Sequence, residues 1–126
     1  MFTLSRDDAR AVVLVSFPFS DLSRSKLRPA VVLAYAARDD WIRCQITSKA
    51  YGDNQAITIE DDSFATGSLR VVSHVRPGKL FTANKGIMKA QVGTLKKGPF
   101  EKIIDPVVRI LRSSIVPESM QKSVDE

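Results

Sequence analysis

The chain has 126 residues, 44% of them hydrophobic, enough for one domain that buries about two thirds of the surface its unfolded form exposes. Its apolar runs are short, far below the roughly 20 residues that span a bilayer, and Met1-Phe2-Thr3-Leu4-Ser5-Arg6-Asp7-Asp8 lacks the basic and apolar regions of a signal peptide. A cytoplasmic protein without membrane attachment is expected. The single cysteine and single histidine exclude an internal disulfide and a zinc cluster within one chain, so neither a metal nor another cofactor is expected.

To about Asp8 the chain reads as irregular. Val12-Val13-Leu14-Val15 and Ala30-Val31-Val32-Leu33 are too short and too β-branched for independent helices and read as strands buried on at least one face. The polar loop between them carries Ser20, Asp21, Ser23, Arg24, Ser25, Lys26 and Arg28. Hydroxyls and cations of this kind suit phosphate oxygens, and they equally suit a solvated hairpin. Strands are expected near 11–17, 29–36, 41–47, 56–60, 69–76 and 79–82, with a short one near 88–93. Lys49 to Gln55 and Asp61 to Gly67 read as turn-rich connections. In 41–47 Cys44 alternates with Ile42 and Ile46, which makes it a small buried hydrophobe and not a nucleophile.

Toward the C-terminus Phe100, Ile103, Ile104, Val107, Val108 and Leu111 fall at helical spacing and predict an apolar stripe laid on the sheet. Asp105-Pro106 interrupts the stripe, either as a kink or as the cap and first turn of a second helix. The polar tail, from about 114 to 126, is expected to fray. The sum is a mainly β (α+β) chain, one domain over 1–126, folded as a small, strongly bent antiparallel barrel with a C-terminal helix.

Net charge is +5, from 19 Lys and Arg against 14 Asp and Glu. The excess is local. Arg70, Arg76, Lys79, Lys85, Lys89, Lys96 and Lys97 occur with no acidic residue between Arg70 and Phe100, as a solvated face or as a footprint for a polyanion. Simple alternation places His74 with Arg70, Val72 and Arg76 on one strand face. Aromatic residues of a small barrel belong mostly to its core, and only Phe19, at the mouth of the loop, is a candidate for stacking on a base.

The order V-V-L-V-x-F-P, then R-P-A-V-V-L, then I-T-S, then S-x-V-R-P-x-K-L, followed by Val92-Gly93-Thr94-Leu95, resembles the MazF/PemK family of toxin endoribonucleases, from about Val12 to about Leu111. The resemblance implies an SH3-like barrel, normally a homodimer, that cleaves single-stranded RNA and is neutralised by a cognate acidic antitoxin. It implies that Arg28, the Arg of R-P, is catalytic and that Thr47, of I-T-S, hydrogen-bonds the scissile phosphate. Such an enzyme needs no metal when the ribose 2′-hydroxyl is the nucleophile. Ser20, Ser48, Arg76 and Lys79 are candidates for binding RNA, with Phe19, Lys26 and His74 weaker ones. Gly78 stands where some relatives carry an Asp implicated in acid–base work, which leaves the proton carrier unassigned. Each role has a structural counterpart: Arg28 paired with Asp21, Thr47 closing a strand end, His74 a packing residue. Two other functions fit the same fold: a CcdB-like poison of a DNA topoisomerase, and a non-catalytic barrel that binds RNA or an acidic peptide through the 70–100 block.

Overall fold

The computed structural model describes residues 9–18, 25–49 and 52–115. Seven strands form one antiparallel sheet: β1 (Ala11–Pro18), β2 (Ser25–Ala37), β3 (Asp40–Thr47), β4 (Ile57–Ile59), β5 (Phe64–Gly67), β6 (Ser73–Asn84) and β7 (Met88–Leu95). Their order across the sheet is β4-β6-β3-β2-β1-β7-β5, and the sheet curls into a half-barrel. One helix, α1 (Lys97–Arg112), follows. No helix among the described residues is long and apolar enough to cross a membrane.

The β-branched centre of the sheet is buried on both faces. Val12, Val31, Leu33, Cys44, Ile46, Ile59, Phe64, Val75 and Leu95 form one core with Ile103 and Val107 of α1, so the helix covers this face through the stripe its sequence predicts. Ala11, Val13, Val15, Ala30, Val32, Trp41 and Met88 form a second core on the opposite face, with Tyr35, Phe81 and Ile87 packed against it. Tyr35 meets Trp41 edge-on, with ring centroids 5.1 Å apart. Each fully buried Val, Leu, Ile, Phe or Met side chain contributes about 1.5–3 kcal/mol relative to its exposed state.

Several boundaries differ from those the sequence suggests. β2 begins at Ser25, pairing Lys26 with Phe17 and Arg28 with Val15, so Lys26 and Arg28 are strand residues. The hairpin from β2 to β3 turns on Arg38 and Asp39, both at positive φ (51° and 66°), the backbone of a two-residue type I′ connection. Phe64–Gly67 is a strand, not a turn, because Gly67 lies opposite Gly93 of β7. A Cβ on Gly67 would approach Val92 O to 2.0 Å and one on Gly93 would approach Thr66 O to 2.5 Å, so both strands need glycine where their backbones close.

The segments 69–76 and 79–82 merge into one long strand, β6, which starts only at Ser73. Arg70 has φ 66° and sits in a bend before the strand, so alternation does not carry it onto the face of His74. α1 runs unbroken through Pro106, which is buried. Asp105 is therefore an exposed helical residue, not the cap of a second helix. The N-terminal eight residues and 116–126, most of the tail expected to fray, lie outside the described residues.

Arg43 is an internal cation that alternation alone does not reveal. It is fully buried, with its guanidinium 5.7 Å from the centroid of Phe81. Nη2 donates to the Asn84 carbonyl at 3.3 Å, while Nε and Nη1 have no hydrogen-bond partner among the described residues. Burial lowers its pKa to about 10, opposed by the negative charge of Asp40.

Candidate active site

Pairing registers decide which polar side chains meet. On the face opposite the helix, β1 sets Val15 against Arg28 of β2. The pairing of β2 with β3 ends at Ala30 opposite Gln45; two residues further along each strand, the same register puts Arg28 in line with Thr47. Pro29 has no amide to donate there. Thr47 pairs with His74 of β6, and His74 with Thr58 of the edge strand β4. Directly opposed residues share a sheet face, at steps of about 5 Å. Thr47, His74 and Thr58 therefore make one cross-strand row on a single face, and Arg28 lies on the same face of β2, two residues before the last pair that β2 makes with β3.

Each member is held. Arg28 is half-buried, and Pro29 fixes φ beside it. The Thr47 hydroxyl oxygen accepts the Lys49 amide at 3.1 Å. This closes the strand end, as its structural reading expects, and leaves the hydroxyl proton pointing elsewhere as a donor. His74 Nδ1 lies 3.3 Å from Thr58 Oγ1, which confirms that the two side chains share a face and orients the imidazole through one nitrogen. Lys26, two residues before Arg28 and exposed, alternates onto the face of Arg28. Ser48 is exposed one residue beyond Thr47.

Arg76 and Lys79 stand beside the row and not in it. Ile46 pairs with Val75 and Cys44 with Leu80, so Arg76, Pro77, Gly78 and Lys79 stand opposite Gln45 alone, in a bulge suited to Pro and Gly. The Cys44 thiol donates to the Arg76 carbonyl at 2.7 Å. Burial pushes the Cys44 pKa up to about 12, so the thiolate required of a nucleophile is suppressed near neutral pH. Arg76 Nε meets Asp53 Oδ2 at 3.1 Å. The other Asp53 oxygen accepts the Gln55 amide at 3.0 Å; that bond first, then Arg76, holds the carboxyl below its usual range. Lys79 is exposed and adds its positive charge to the field at Asp53.

In space the basic block is interleaved with acids. Arg70 lines a cavity of about 350 Å³ with Glu60, Asp61 and Asp62, Arg76 is paired with Asp53, and Lys97 lines a cavity with Glu101 and Asp105. Three of its seven cations, Arg70, Arg76 and Lys97, thus stand beside carboxylates. Phe19, Ser20 and Asp21 lie outside the described residues. Thr58 and Asp53 were not singled out from the sequence: each owes its position to a register or an ion pair made with a distant segment.

No family model and no curated protein sequence matches the chain. Solved structures do match. MazF of Deinococcus radiodurans, in a crystal structure of MazE-MazF, superposes with a TM-score of 0.67 at 18% identity, over 87% of this chain and 99% of that one. The Mycobacterium tuberculosis toxin MazF-mt6 does so with a TM-score of 0.62 at 14% identity, over 81% and 96%. A mycobacterial endoribonuclease in complex with its cognate antitoxin gives 0.61 at 11% identity, over 90% and 100%. The fold is that of these toxins along essentially their whole length.

Proposed function

We propose that this chain, which carries the MazF fold, is a toxin endoribonuclease that cleaves single-stranded RNA without a metal and is neutralised by an acidic antitoxin. The observation that carries the reading is the alignment of Arg28, Thr47 and His74, a permanent cation, a hydroxyl donor and an imidazole on one face of the sheet. Such a row suits a reaction whose nucleophile comes with the substrate. The ribose 2′-oxygen attacks the neighbouring phosphorus, the P–O5′ bond breaks, and the products carry a 2′,3′-cyclic phosphate and a 5′-hydroxyl. Arg28 offers two donors to the non-bridging oxygens as their negative charge grows, and Thr47 offers a third. The low-dielectric sheet beneath strengthens both.

In this reading Lys26, Ser48 and Lys79 hold the RNA backbone, and Phe19 and Ser20 belong to the same proposal. The edges of the sheet, β4 and β5, give the chain a motive to pair with a second copy, and a homodimer in the cytoplasm is the form we propose. Purified protein incubated with a long RNA in excess EDTA tests the function. Cleavage that persists and yields the ends named above is expected. Binding without cleavage would identify a non-catalytic module, and neither binding nor cleavage would point to a protein target.

The ion pair of Arg76 with Asp53 changes what is expected of that arginine. A phosphate must compete with a carboxylate that already holds it. Asp53→Asn, which keeps an acceptor for the Gln55 amide but removes the charge, is expected to tighten binding of unrelated RNA sequences alike. If the released Arg76 gains one phosphate contact, the log–log salt dependence steepens by about 0.7. The variant also loses an acid-side dependence. A depressed carboxyl stabilises the fold above its ordinary pKa and loses that contribution as pH falls through the lowered folded value. Salt titrations of a fluorescent oligonucleotide, with thermal melts between pH 6 and pH 2, measure both effects.

A further inference from the structure

We propose that His74 is the general acid of the cleavage, delivering the proton from Nε2 to the departing 5′-oxygen; this rests on the reading of the chain as an endoribonuclease. Position 78 does not supply that group. Glycine occupies it, and a Cβ there would point toward α1, with Ile110 Cδ1 at 4.0 Å, on the face away from the row. Within the row the choice narrows on chemical grounds. A guanidinium does not surrender its proton near neutral pH, and an unassisted threonine hydroxyl is too weak an acid, whereas an imidazole ordinarily titrates near pH 6.5.

The position of His74 fits the task. It is half-buried, it is the cross-strand partner of Thr47, and so it lies on the side of Thr47 away from Arg28. In-line displacement places nucleophile and leaving group on opposite sides of phosphorus. A phosphate held between Arg28 and Thr47 then has the cation on the side of the attacking oxygen and the imidazole on the other. The Nδ1 contact with Thr58 Oγ1 at 3.3 Å suits proton delivery, because a hydroxyl both accepts and donates. Thr58 accepts from Nδ1–H while the ring is an imidazolium and can turn to donate if the remaining proton shifts, so the ring stays oriented in both states. A carboxylate there would hold the imidazolium in its charged form.

O2′ forms its bond to phosphorus and its proton passes to water. The P–O5′ bond breaks with its electron pair on O5′. Nε2 transfers its proton to O5′, leaving a neutral imidazole that water reprotonates before the next turnover. Thr58 is a positioning residue in this scheme, and His74 the catalytic one.

The experiment pairs an oligonucleotide spanning a mapped cut site with the same oligonucleotide bearing sulfur in place of the bridging 5′-oxygen, since a thiolate leaves without a proton. His74→Ala, and His74→Gln as a variant that keeps polar bulk, are expected to cleave the all-oxygen substrate about 100-fold more slowly than the wild type. Their affinity for RNA should be unchanged, and both should cleave the sulfur-bridged substrate at close to the wild-type rate. Equal losses on the two substrates would overturn the assignment in favour of a packing role, as would no loss on either. Wild-type protein that cleaves neither substrate would refute the endoribonuclease reading itself, and the assignment with it.

Discussion

Replacing Arg28 by Ala is expected to lower the single-turnover cleavage rate by about two to three orders of magnitude, roughly 3–4 kcal/mol, the usual cost of removing one preorganised donor at a developing oxyanion. The loss should fall on the chemical step and not on binding. Lys26 and Lys79 should still attract the RNA backbone, whereas in the proposed mechanism Arg28 acts where charge increases as the phosphorane forms. The fold should survive, because Arg28 is half-buried near the start of β2 and lies outside the β2–β3 pairing, whose last pair is Ala30–Gln45. Arg28→Lys should recover only part of the rate, since an ammonium keeps the charge and loses the planar fork. Rapid-quench rates, RNA affinity and a thermal melt on the same three proteins check this. A wild-type rate for Arg28→Ala would remove this residue from the reaction.

The second large effect is chemical and needs no variant. An oligonucleotide with 2′-deoxyribose on the 5′ side of the cut lacks the proposed nucleophile, so it should bind with nearly ordinary affinity and resist cleavage within detection. Deoxyribose placed elsewhere should have little consequence. The contrast isolates the source of the attacking oxygen: an enzyme that activates water cuts both oligonucleotides, whereas one that relies on its substrate cuts only the second. Efficient cleavage at the deoxy position would overturn the mechanism while leaving the fold and the RNA-binding reading intact.

Much of the fold is legible in local sequence because it obeys local physics. The β-branched runs of β1 and β2 become central strands, the 3.6-residue stripe of Phe100 to Val107 becomes the buried side of α1, and Cys44 falls in the core as its alternation with Ile42 and Ile46 requires. What fails is what depends on distant partners. β5 was hidden because Gly67 reads as a turn until Gly93 is set against it. The single long β6 was hidden by Pro77 and Gly78, which break periodicity in sequence but in space only bulge the strand. The site divides the same way. Arg28, Thr47 and His74 can be named from residue type and motif, but their alignment is a property of register, set by the pairings of β2 with β3 and of β3 with β6. Arg76 shows the opposite case: its charge is plain in the sequence, and its neutralisation by Asp53 is not.

The imidazole of His74 takes its orientation from Thr58, and Thr58 sits at the middle of the three-residue strand β4, which is bonded to β6 on one side and ends the sheet on the other. Short edge strands are among the first parts of a sheet to open, at free energies well below that of global unfolding. When β4 opens, Nδ1 loses its partner and the ring can turn, although Arg28 and Thr47 remain fixed on the central strands. The row thus has a rigid end and a breathing end. If His74 is the proton donor proposed above, the aim of its Nε2 has a lifetime, set by how long three residues at the border of the sheet stay paired.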